Sequence, residues 1–426
     1  MNSETVPAAA RLRGVVRVPG DKSASHRALL VSALATGTSR IDGLSPGDDV
    51  RGTGVIIEQL GASRVVEGTE TVVTGAPDGL HAAGAPLDCG NSGTTMRLVA
   101  GLVSGIDGEH VLVGDPSLSR RPMDRVAVPL RAMGATLRGE GERLCAPLHV
   151  VGSRSLRGID YDVPVPSAQV KSAILFAGLA AIGPTIVRER VRTRRATEDM
   201  LALAGVPVDV VDVGAGRRVT VYPARPQARA WRVPGDPSQA AFFAVLGALH
   251  PDADVAVEPI DVAPERIGFV SVLRRMGADL SLVSYAHGTG LVSRSAELRA
   301  TTVHAEEIPS VDEVPALTVA AAAATGVTSF MSMGELRVKE SDRFAGSMAL
   351  AAALGCRVWA NSDDFFVEGL ASAANFQFFH QPATLDHRMV MAAAVAGVAG
   401  RGCVIDGTET VSSSYPSFFS DLNGLR

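Results

Sequence analysis

The stretch DKSASHRALLVSALATG, from Asp21 to Gly37, is the first of six similar stretches along the chain. Each has a polar head followed by a run of Ala, Leu, Val and Gly that is apolar on nearly all sides. The other five are GNSGTTMRLVAGLVSG from Gly90, VPSAQVKSAILFAGLAAIG from Val165, GDPSQAAFFAVLGALH from Gly235, VDEVPALTVAAAAATG from Val311 and LDHRMVMAAAVAGVAG from Leu385. A helix that is apolar on all faces is buried. The pattern therefore predicts six repeats, each built around one buried helix.

The polar heads mark the N-termini of these helices, where free N–H groups and partial positive charge favour anions. Cationic side chains are concentrated at or near the heads: Lys22, Arg27, Arg97, Arg121, Lys171, Arg194, Lys339, Arg343 and Arg388. A single such residue would more often form a surface ion pair. Their recurrence at the heads of a repeat, and the geometric match of arginine to carboxylate and phosphate, favour a site for ligands with several negative charges.

A second helix that ends at a glycine follows most heads, and a β-rich pair follows that helix. We predict these second helices at 48–62, 121–135, 196–206, 264–278 and 338–355. The repeat is then strand–helix–strand–helix–strand–strand, an α/β unit. Six repeats in 426 residues fit two domains of three repeats each. We place one domain at 14–233 and the other at 1–13 with 234–426.

Composition excludes several classes of protein. A net charge of −5 and only 4% aromatic residues argue against nucleic acid as a partner. The four cysteines are scattered without a CxxC pair, which favours a reducing compartment over a disulfide framework or a zinc site. The N-terminus has no apolar signal region, and the apolar helices are too short to cross a membrane. We therefore expect a cytoplasmic protein without membrane contact.

Carboxylates at two heads could carry proton transfer. Asp312 and Glu313 open the fifth head, and a carboxylate there could act as a general base on a substrate hydroxyl. The segment VKESDR predicts a helix start with Lys339 and Arg343 on one face and Glu340 beside them. His387 is a lone histidine, for which a structural role is the common alternative. The sequence contains no GxxxxGK[ST], GxGxxG or HExxH motif, so we expect neither a nucleotide cofactor nor a metal.

Seven motifs in order resemble those of one family, the 5-enolpyruvylshikimate-3-phosphate (EPSP) synthases, or 3-phosphoshikimate 1-carboxyvinyltransferases. They are PGDKSASHRALL, GNSGTTMR, GDPSLSRRPMDR, VPSAQVKSA, DEVPALTVAA, ELRVKESDR and LDHRM, spread from Pro19 almost to the C-terminus. The resemblance implies a two-domain enolpyruvyl transferase fold, an inside-out α/β barrel with three βαβαββ repeats in each domain and the active site in the cleft between them. It also implies transfer of the carboxyvinyl group of phosphoenolpyruvate to the 5-hydroxyl of shikimate 3-phosphate, with release of phosphate.

The resemblance assigns residues motif by motif. Catalysis would fall to Lys22, Asp312 and Glu340. Shikimate 3-phosphate would contact Lys22, Ser23, Arg27, Ser167, Ala168, Gln169, Arg194, Asp312 and Lys339. Phosphoenolpyruvate would contact Lys22, Asn91, Gly93, Arg121, Gln169, Arg343, His387 and Arg388. The family needs no cofactor and no metal, and we expect a monomer whose partners are its two small substrates.

Three positions bear on variation within the family. Many members have Asp-His where Arg195 and Ala196 stand, which leaves open transfer to another phosphorylated alcohol, such as a nucleotide. Ser413 replaces a lysine that some members carry near the C-terminus. Gly93 is small, as in herbicide-sensitive members, so we expect glyphosate to compete with phosphoenolpyruvate. A non-catalytic anion-binding protein on the same fold is the alternative from a different class, and the set Lys22, Asp312, Glu340 and Arg388 argues against it.

Overall fold

A computed structural model describes residues 2–426, which form two compact units. Twelve α-helices occur in these residues: α1 (Lys22–Leu34), α2 (Asp48–Gln59), α3 (Gly93–Val103), α4 (Asp124–Met133), α5 (Ala168–Gly178), α6 (Ala196–Leu203), α7 (Pro237–Leu249), α8 (Gly268–Arg275), α9 (Val314–Ala323), α10 (Arg343–Ala353), α11 (His387–Ala399) and α12 (Phe418–Asn423).

The same residues contain 23 strands, and short 3₁₀ turns connect some of them. The strands are β1 (Ser3–Val6), β2 (Leu12–Val16), β3 (Thr38–Asp42), β4 (Ser63–Glu67), β5 (Glu70–Thr74), β6 (Leu87–Asp88), β7 (Gly108–Val113), β8 (Thr136–Glu140), β9 (Cys145–Gly152), β10 (Asp160–Val163), β11 (Thr185–Glu189), β12 (Val208–Val213), β13 (Gly216–Val221), β14 (Ala230–Arg232), β15 (Ala253–Ile260), β16 (Asp279–Tyr285), β17 (Gly288–Arg294), β18 (Thr302–His304), β19 (Val327–Met331), β20 (Arg357–Asn361), β21 (Asp364–Glu368), β22 (Phe379–Gln381) and β23 (Cys403–Asp406).

The six predicted apolar helices are α1, α3, α5, α7, α9 and α11, and each follows its polar head as expected. Every residue of α7 and α11 is buried. Side chains at several heads cap the helix: the Ser92, Ser167, Asp236 and Asp386 oxygens each accept a hydrogen bond from a backbone N–H of the first turn. These caps satisfy part of the free N–H groups that a buried helix start exposes. The prediction of six repeats built on buried helices is confirmed.

The second helices are α2, α4, α6, α8 and α10, and the predictions for the last two were wrong at their starts. The helix predicted from Pro264 begins at Gly268. We expected a helix from Val338, but Gly334–Val338 is a 3₁₀ turn and α10 begins at Arg343. The Asp342 side chain accepts from Ala345 N at 3.0 Å, so it caps the helix there. Lys339 is extended, and it does not share a helix face with Arg343.

Six small sheets accompany the helices, five with four strands and one with three. In β10-β11-β13-β12 the first pair is parallel and the other pairs are antiparallel, as the βαβαββ repeat requires. Two strands, β2 and β14, pair with repeats that are distant from them in sequence. The sheet of the first repeat takes β14 as its parallel strand, whereas β2, which precedes α1, pairs with β15.

This exchange decides which residues belong to each unit. One unit, here called the continuous unit, is Lys22–Val233, and the other, the split unit, contains the described residues up to Asp21 together with Pro234–Arg426. The boundary that we placed between residues 13 and 14 would cut through β2, which is paired with β15 of the split unit. Each unit has its own apolar core around three of the buried helices.

Candidate active site

The head of α1 places Lys22 and Ser23 at the surface of the continuous unit. The Lys22 ammonium lies 3.1 Å from Asp49 Oδ2, at the start of α2. The Ser23 hydroxyl accepts a hydrogen bond from Arg194 Nη1 at 3.0 Å. A lysine and an arginine beside a serine hydroxyl can together hold a phosphate. Nothing in the sequence pattern indicated that Asp49 is the residue that pairs with Lys22.

Arg27 lies behind this head and is almost fully buried. Its Nε donates to Thr197 Oγ1 at 2.6 Å, and its Nη2 donates to Ser172 Oγ at 2.7 Å. Its Nη1 donates to the Ser23 carbonyl at 2.8 Å. Arg27 therefore joins α1 to α5 and α6, and it supports the backbone of Ser23 directly.

The head of α3 brings together Asn91, Gly93 and Arg121. Arg121 Nη2 donates to Asn91 Oδ1 at 2.8 Å, and Asn91 Nδ2 donates to Asp115 Oδ2 at 2.6 Å. A Cβ atom on Gly93 would lie 2.7 Å from Arg97 Nη1 and 3.3 Å from Arg121 Nη1. The absence of a side chain at Gly93 therefore leaves room for two guanidinium groups at one helix start.

The head of α5 carries Ser167, Ala168 and Gln169. Ser167 caps the helix, and its hydroxyl accepts from Val170 N at 3.3 Å. Gln169 Oε1 accepts from Arg97 Nη1 at 2.7 Å, and Gln169 Nε2 donates to Thr94 Oγ1 at 2.8 Å. Gln169 thus connects the heads of α3 and α5. Arg97, which we counted among the cations but did not assign to a substrate, holds that connection.

In the split unit, Arg343 is the centre of an ion cluster. Its side chain is fully inaccessible to solvent, and its Nη1 lies 2.8 Å from Asp312 Oδ1 while its Nη2 lies 2.6 Å from Glu340 Oε2. Its Nε donates to Asp386 Oδ2 at 2.7 Å. Burial alone would lower the pKa of the Arg343 guanidinium, but Asp386, Glu340 and Asp312 outweigh it and raise that pKa above its usual value.

Asp312 and Glu340 are the partly exposed members of this cluster, with side-chain exposures of 21% and 17%, whereas the Asp386 side chain is inaccessible. The two exposed carboxylates can meet a ligand, and Asp386 fixes the guanidinium that orients them. Asp386 was not among the predicted site residues, although it lies within the LDHRM motif.

The head of α11 adds His387 and Arg388 to the cluster. Arg388 Nη2 lies 3.4 Å from Asp312 Oδ2, and its buried Nη1 has no hydrogen-bond partner among the described residues. A buried guanidinium N–H without a partner is costly and indicates a site for an anionic group. His387 is buried, and its Nδ1 lies 3.1 Å from the hydroxyl of Ser413.

The chain just before Asp312 is strained. Val311 is a β-branched residue with φ of 50°, a conformation that such residues rarely adopt, and its side chain is buried. The carboxylates of the two residues that follow Val311 contact different groups. Asp312 contacts the two arginines, whereas Glu313 accepts from the hydroxyls of Ser238 and Ser310.

Within residues 2–426, no group of three or more His, Cys, Asp or Glu side chains is arranged to hold a metal ion. No helix among those residues combines the length and apolarity needed to span a membrane.

Solved structures share the fold. The chain superimposes on EPSP synthase from Acinetobacter baumannii with a TM-score of 0.85 and 35% identity, covering 99% of this chain and 98% of that one. The enolpyruvyl transferase NikO from Streptomyces tendae, at 18% identity, has the same fold, with a TM-score of 0.78 and coverage of 99% and 96%. The fold is therefore that of the enolpyruvyl transferases, as predicted.

Sequence comparison narrows the class. A family model described as EPSP synthase (3-phosphoshikimate 1-carboxyvinyltransferase) matches residues 6–422. The 3-phosphoshikimate 1-carboxyvinyltransferase of Anaeromyxobacter sp. (strain Fw109-5) is 44% identical over 423 residues, 97% of this chain and 96% of the relative. That of Synechococcus sp. (strain WH7803) is 44% identical over 430 residues, with the same coverage. The chain belongs to the EPSP synthase family, and the resemblance drawn from its motifs is confirmed.

Proposed function

We propose that this enzyme transfers the carboxyvinyl group of phosphoenolpyruvate to the 5-hydroxyl of shikimate 3-phosphate and releases phosphate. Family membership supports the reaction. The observation that carries it in the structure is the pair of partly exposed carboxylates, Asp312 and Glu340, held on one buried guanidinium, Arg343. Two carboxylates fixed side by side can serve as separate proton acceptor and donor for a reaction that needs both.

In this proposal Asp312 accepts the proton of the 5-hydroxyl while that oxygen attacks C2 of phosphoenolpyruvate. Glu340 delivers a proton to the methylene carbon C3, and Lys22 is a further candidate acid. The resulting tetrahedral intermediate carries the new C–O bond and the phosphate on the same carbon. Phosphate then leaves C2, and the Glu340 carboxylate takes a proton back from C3, which restores the double bond.

The cationic heads are assigned to the charges of the two substrates. Shikimate 3-phosphate would meet Lys22, Ser23, Arg27, Ser167, Ala168, Gln169, Arg194, Asp312 and Lys339. Phosphoenolpyruvate would meet Lys22, Asn91, Gly93, Arg121, Gln169, Arg343, His387 and Arg388. The unpartnered Arg388 Nη1 supports the second assignment, because it is a buried donor suited to a carboxylate or phosphate oxygen. Fixed cations around the tetrahedral intermediate would stabilise its charge without reorganisation.

No residue in the structure favours a different acceptor. Arg195 and Ala196 were the sequence feature that left one open. The Arg195 guanidinium lies at the surface, 2.8 Å from Asp199 Oδ1 one turn further along α6, whereas neighbouring Arg194 contacts Ser23. An exposed ion pair of this kind contributes little to stability, and it is made by Arg195 rather than by Arg194, the residue that contacts Ser23.

The protein is further proposed to act as a cytoplasmic monomer without a metal or organic cofactor. All four cysteines are free, which fits a reducing compartment. Guanidinium and ammonium groups supply the positive charge that a metal would otherwise bring to the phosphates.

The test is phosphate release by the purified protein with both substrates, together with the mass of the product. We expect one phosphate for each acceptor that becomes heavier by one carboxyvinyl group. Binding of phosphoenolpyruvate without phosphate release would contradict shikimate 3-phosphate as the acceptor, and a screen of other phosphorylated alcohols would follow. The same assay, repeated with shikimate in place of its 3-phosphate, controls for the role of the phosphate.

A further inference from the structure

Lys171 lies one turn into α5 and is fully buried. Its ammonium is 2.9 Å from Glu189 Oε2 and 2.6 Å from Glu198 Oε1, and the side-chain exposures are 0% for Lys171, 1% for Glu189 and 0% for Glu198. A buried ammonium persists only with such partners. Lys171 is therefore not available to a ligand, although we predicted it among the cations at the heads.

The two glutamates bracket the loop that carries Arg194. Glu189 is the last residue of β11, and Glu198 lies in the first turn of α6. One ammonium group therefore joins both ends of the loop and ties them to α5. Arg194 projects from this loop, where its Nη1 donates to the Ser23 hydroxyl at 3.0 Å.

Two further contacts hold the middle of the loop. The buried Thr193 hydroxyl donates to Glu189 Oε1, and Arg217 Nη1 donates to the Thr193 carbonyl at 3.2 Å. Glu189 from β11 and Arg217 from β13 therefore hold the residue that precedes Arg194, and Glu189 shares the Lys171 ammonium with Glu198. The conformation of Arg194 depends on this buried cluster, because the side chains at both ends of its loop, Glu189 and Glu198, pair with the same ammonium.

We infer that Lys171 is a positioning residue for the acceptor-phosphate site, holding the Arg194 loop against the α5 head that bears Ser167, Ala168 and Gln169. The inference rests on the proposed function, which assigns those four residues to shikimate 3-phosphate.

The charges in the cluster show why the ammonium is needed. Two buried carboxylates face one lysine, and burial raises the pKa of Glu198 even though Lys171 acts to lower it. Without Lys171, the contact that joins both ends of the loop to α5 would be lost, and the two buried carboxylates would be left without their cation.

The decisive variant is Lys171→Met, assayed for the KM of each substrate with the other saturating. We expect the KM for shikimate 3-phosphate to rise about tenfold or more, because a misplaced Arg194 loses a charged contact of at least about 1.4 kcal/mol. We expect the KM for phosphoenolpyruvate to change less than about twofold, which is the usual effect of a substitution that does not touch a site. Adding Glu198→Gln removes the surplus buried charge, so the affinity for shikimate 3-phosphate is expected to recover in part.

Thr193→Val provides a second variant that leaves no buried charge unpaired. Losing one hydroxyl contact to Glu189 is expected to raise the KM for shikimate 3-phosphate about threefold, within the usual range for a hydrogen bond. If Lys171→Met gives no cooperative thermal unfolding transition, Thr193→Val decides the question.

The matched control is Arg188→Met, which removes an exposed cation from the same strand, β11, where it pairs with Asp160 at 2.6 Å. Its KM values are expected to stay at the wild-type level.

A lowered melting temperature with unchanged KM, or an equal rise in the KM of both substrates, would overturn the role of Lys171 and leave a purely structural ion cluster. Failure of the proposed function gives a separate signal. The wild-type protein would then neither bind shikimate 3-phosphate in calorimetry nor release phosphate, whereas failure of the inference alone leaves wild-type binding and turnover intact.

Discussion

At the scale of single residues, Arg343 connects the two carboxylates to which we assign proton transfer. Its guanidinium is shared by Asp312, Glu340 and Asp386, and only the first two of these carboxylates are partly exposed. A base and an acid on one rigid cation keep a constant separation. If these two carboxylates transfer the protons as proposed, their shared contact with Arg343 sets their positions in advance.

Asp312→Asn is expected to lower kcat by about 10²- to 10⁴-fold, the usual contribution of a general base. The amide keeps a hydrogen-bond acceptor for Arg343 but cannot take the hydroxyl proton, so the KM for phosphoenolpyruvate should change little. Steady-state kinetics at saturating substrates measures the effect. Asp363→Asn, an exposed carboxylate that pairs with Arg337 at 3.5 Å, is the control. A kcat for Asp312→Asn equal to that of the control would remove Asp312 from the mechanism.

Gly93→Ala is expected to weaken the binding of phosphoenolpyruvate. The new methyl group would lie 2.7 Å from Arg97 Nη1 and 3.3 Å from Arg121 Nη1, so at least one guanidinium must move. We predict a rise of about tenfold in the KM for phosphoenolpyruvate, corresponding to one weakened charged hydrogen bond. Glyphosate, which we expect to compete with phosphoenolpyruvate in the wild type, should lose affinity as well. Inhibition that does not weaken as phosphoenolpyruvate is added would contradict the shared site.

The motifs predicted which residue types gather at each head, but they did not predict which residues form ion pairs with them. Lys22 with Asp49 and Arg343 with Asp386 are pairs between different elements. Such pairs depend on how helices pack, which a single sequence does not encode locally. For Lys171, the apolar residues around it in VKSAILFAG were the one available signal that its ammonium lies inside the core.

At the scale of elements, His26 links the first helices of the continuous unit. Its Nδ1 lies 2.8 Å from the Thr53 hydroxyl of α2, which is in turn 2.8 Å from the Thr95 hydroxyl of α3. Burial holds the pKa of His26 well below 6.5, and the charges of Lys22 and Arg27 lower it further. The folded protein therefore keeps His26 neutral.

This histidine predicts an acid-sensitive fold. Because the pKa of His26 is lower in the folded state than in the unfolded state, protonation of His26 favours unfolding. The free energy of unfolding is therefore unaffected by His26 above about pH 6.5. Below that value it falls by at most about 1.4 kcal/mol per pH unit. His26→Gln removes the titrating group while keeping a polar side chain. Urea unfolding at about pH 7 and about pH 5.5 should show a smaller pH-dependent loss of stability in the variant than in the wild type. Equal losses would show that His26 does not titrate on unfolding.

The start of α10 shows where local sequence rules compete. VKESDR has the charge spacing of a helix, yet Asp342 caps the helix and leaves Lys339 and Glu340 outside it. The cap contributes about 1 kcal/mol, whereas a helix extended to Lys339 would place the like charges of Lys339 and Arg343 four residues apart, which destabilises a helix by about 0.2–0.5 kcal/mol. The ion pair between Glu340 and Arg343, three residues apart, forms without that extension.

At the scale of the whole molecule, the chain leaves the split unit after Asp21 and returns to it at Pro234. The two passing segments are bonded to each other: Asp21 N donates to the Pro234 carbonyl at 2.7 Å, and Asp236 N donates to the Pro19 carbonyl at 2.8 Å. The buried Arg266 guanidinium pairs with Asp21 and lies 3.1 Å from Asp236 Oδ1. Burial alone would lower the pKa of Arg266, but Asp21, Asp236, Asp261 and Glu313 outweigh it and raise that pKa.

Arg266→Met is expected to destabilise the protein by about 3–5 kcal/mol, because it leaves buried carboxylates without their cation. Arg294→Met, which removes an exposed cation that lies 3.2 Å from Asp254, is expected to cost no more than about 1 kcal/mol. Urea unfolding compares the two variants. Similar losses in both would show that the buried cluster does not hold the passing segments.

The repeat pattern predicted the six buried helices, the α/β class and the cationic heads, because periodicity and capping are local. It did not predict that β2 and β14 are exchanged between the first and fourth repeats, since strand pairing is set by contacts distant in sequence. The error in the first boundary came from that exchange.

The mass of the product formed in D₂O from phosphoenolpyruvate and shikimate 3-phosphate provides the sharpest test of the proposed transfer. Addition of a solvent deuteron to C3 makes a transient methyl group. Loss of one of the original hydrogens of that group then leaves deuterium on the vinyl carbon. We predict an acceptor heavier by one carboxyvinyl group that carries deuterium at C3, formed more slowly by Glu340→Gln. Absence of the carboxyvinyl adduct, or an adduct free of deuterium, would contradict transfer through protonation of C3.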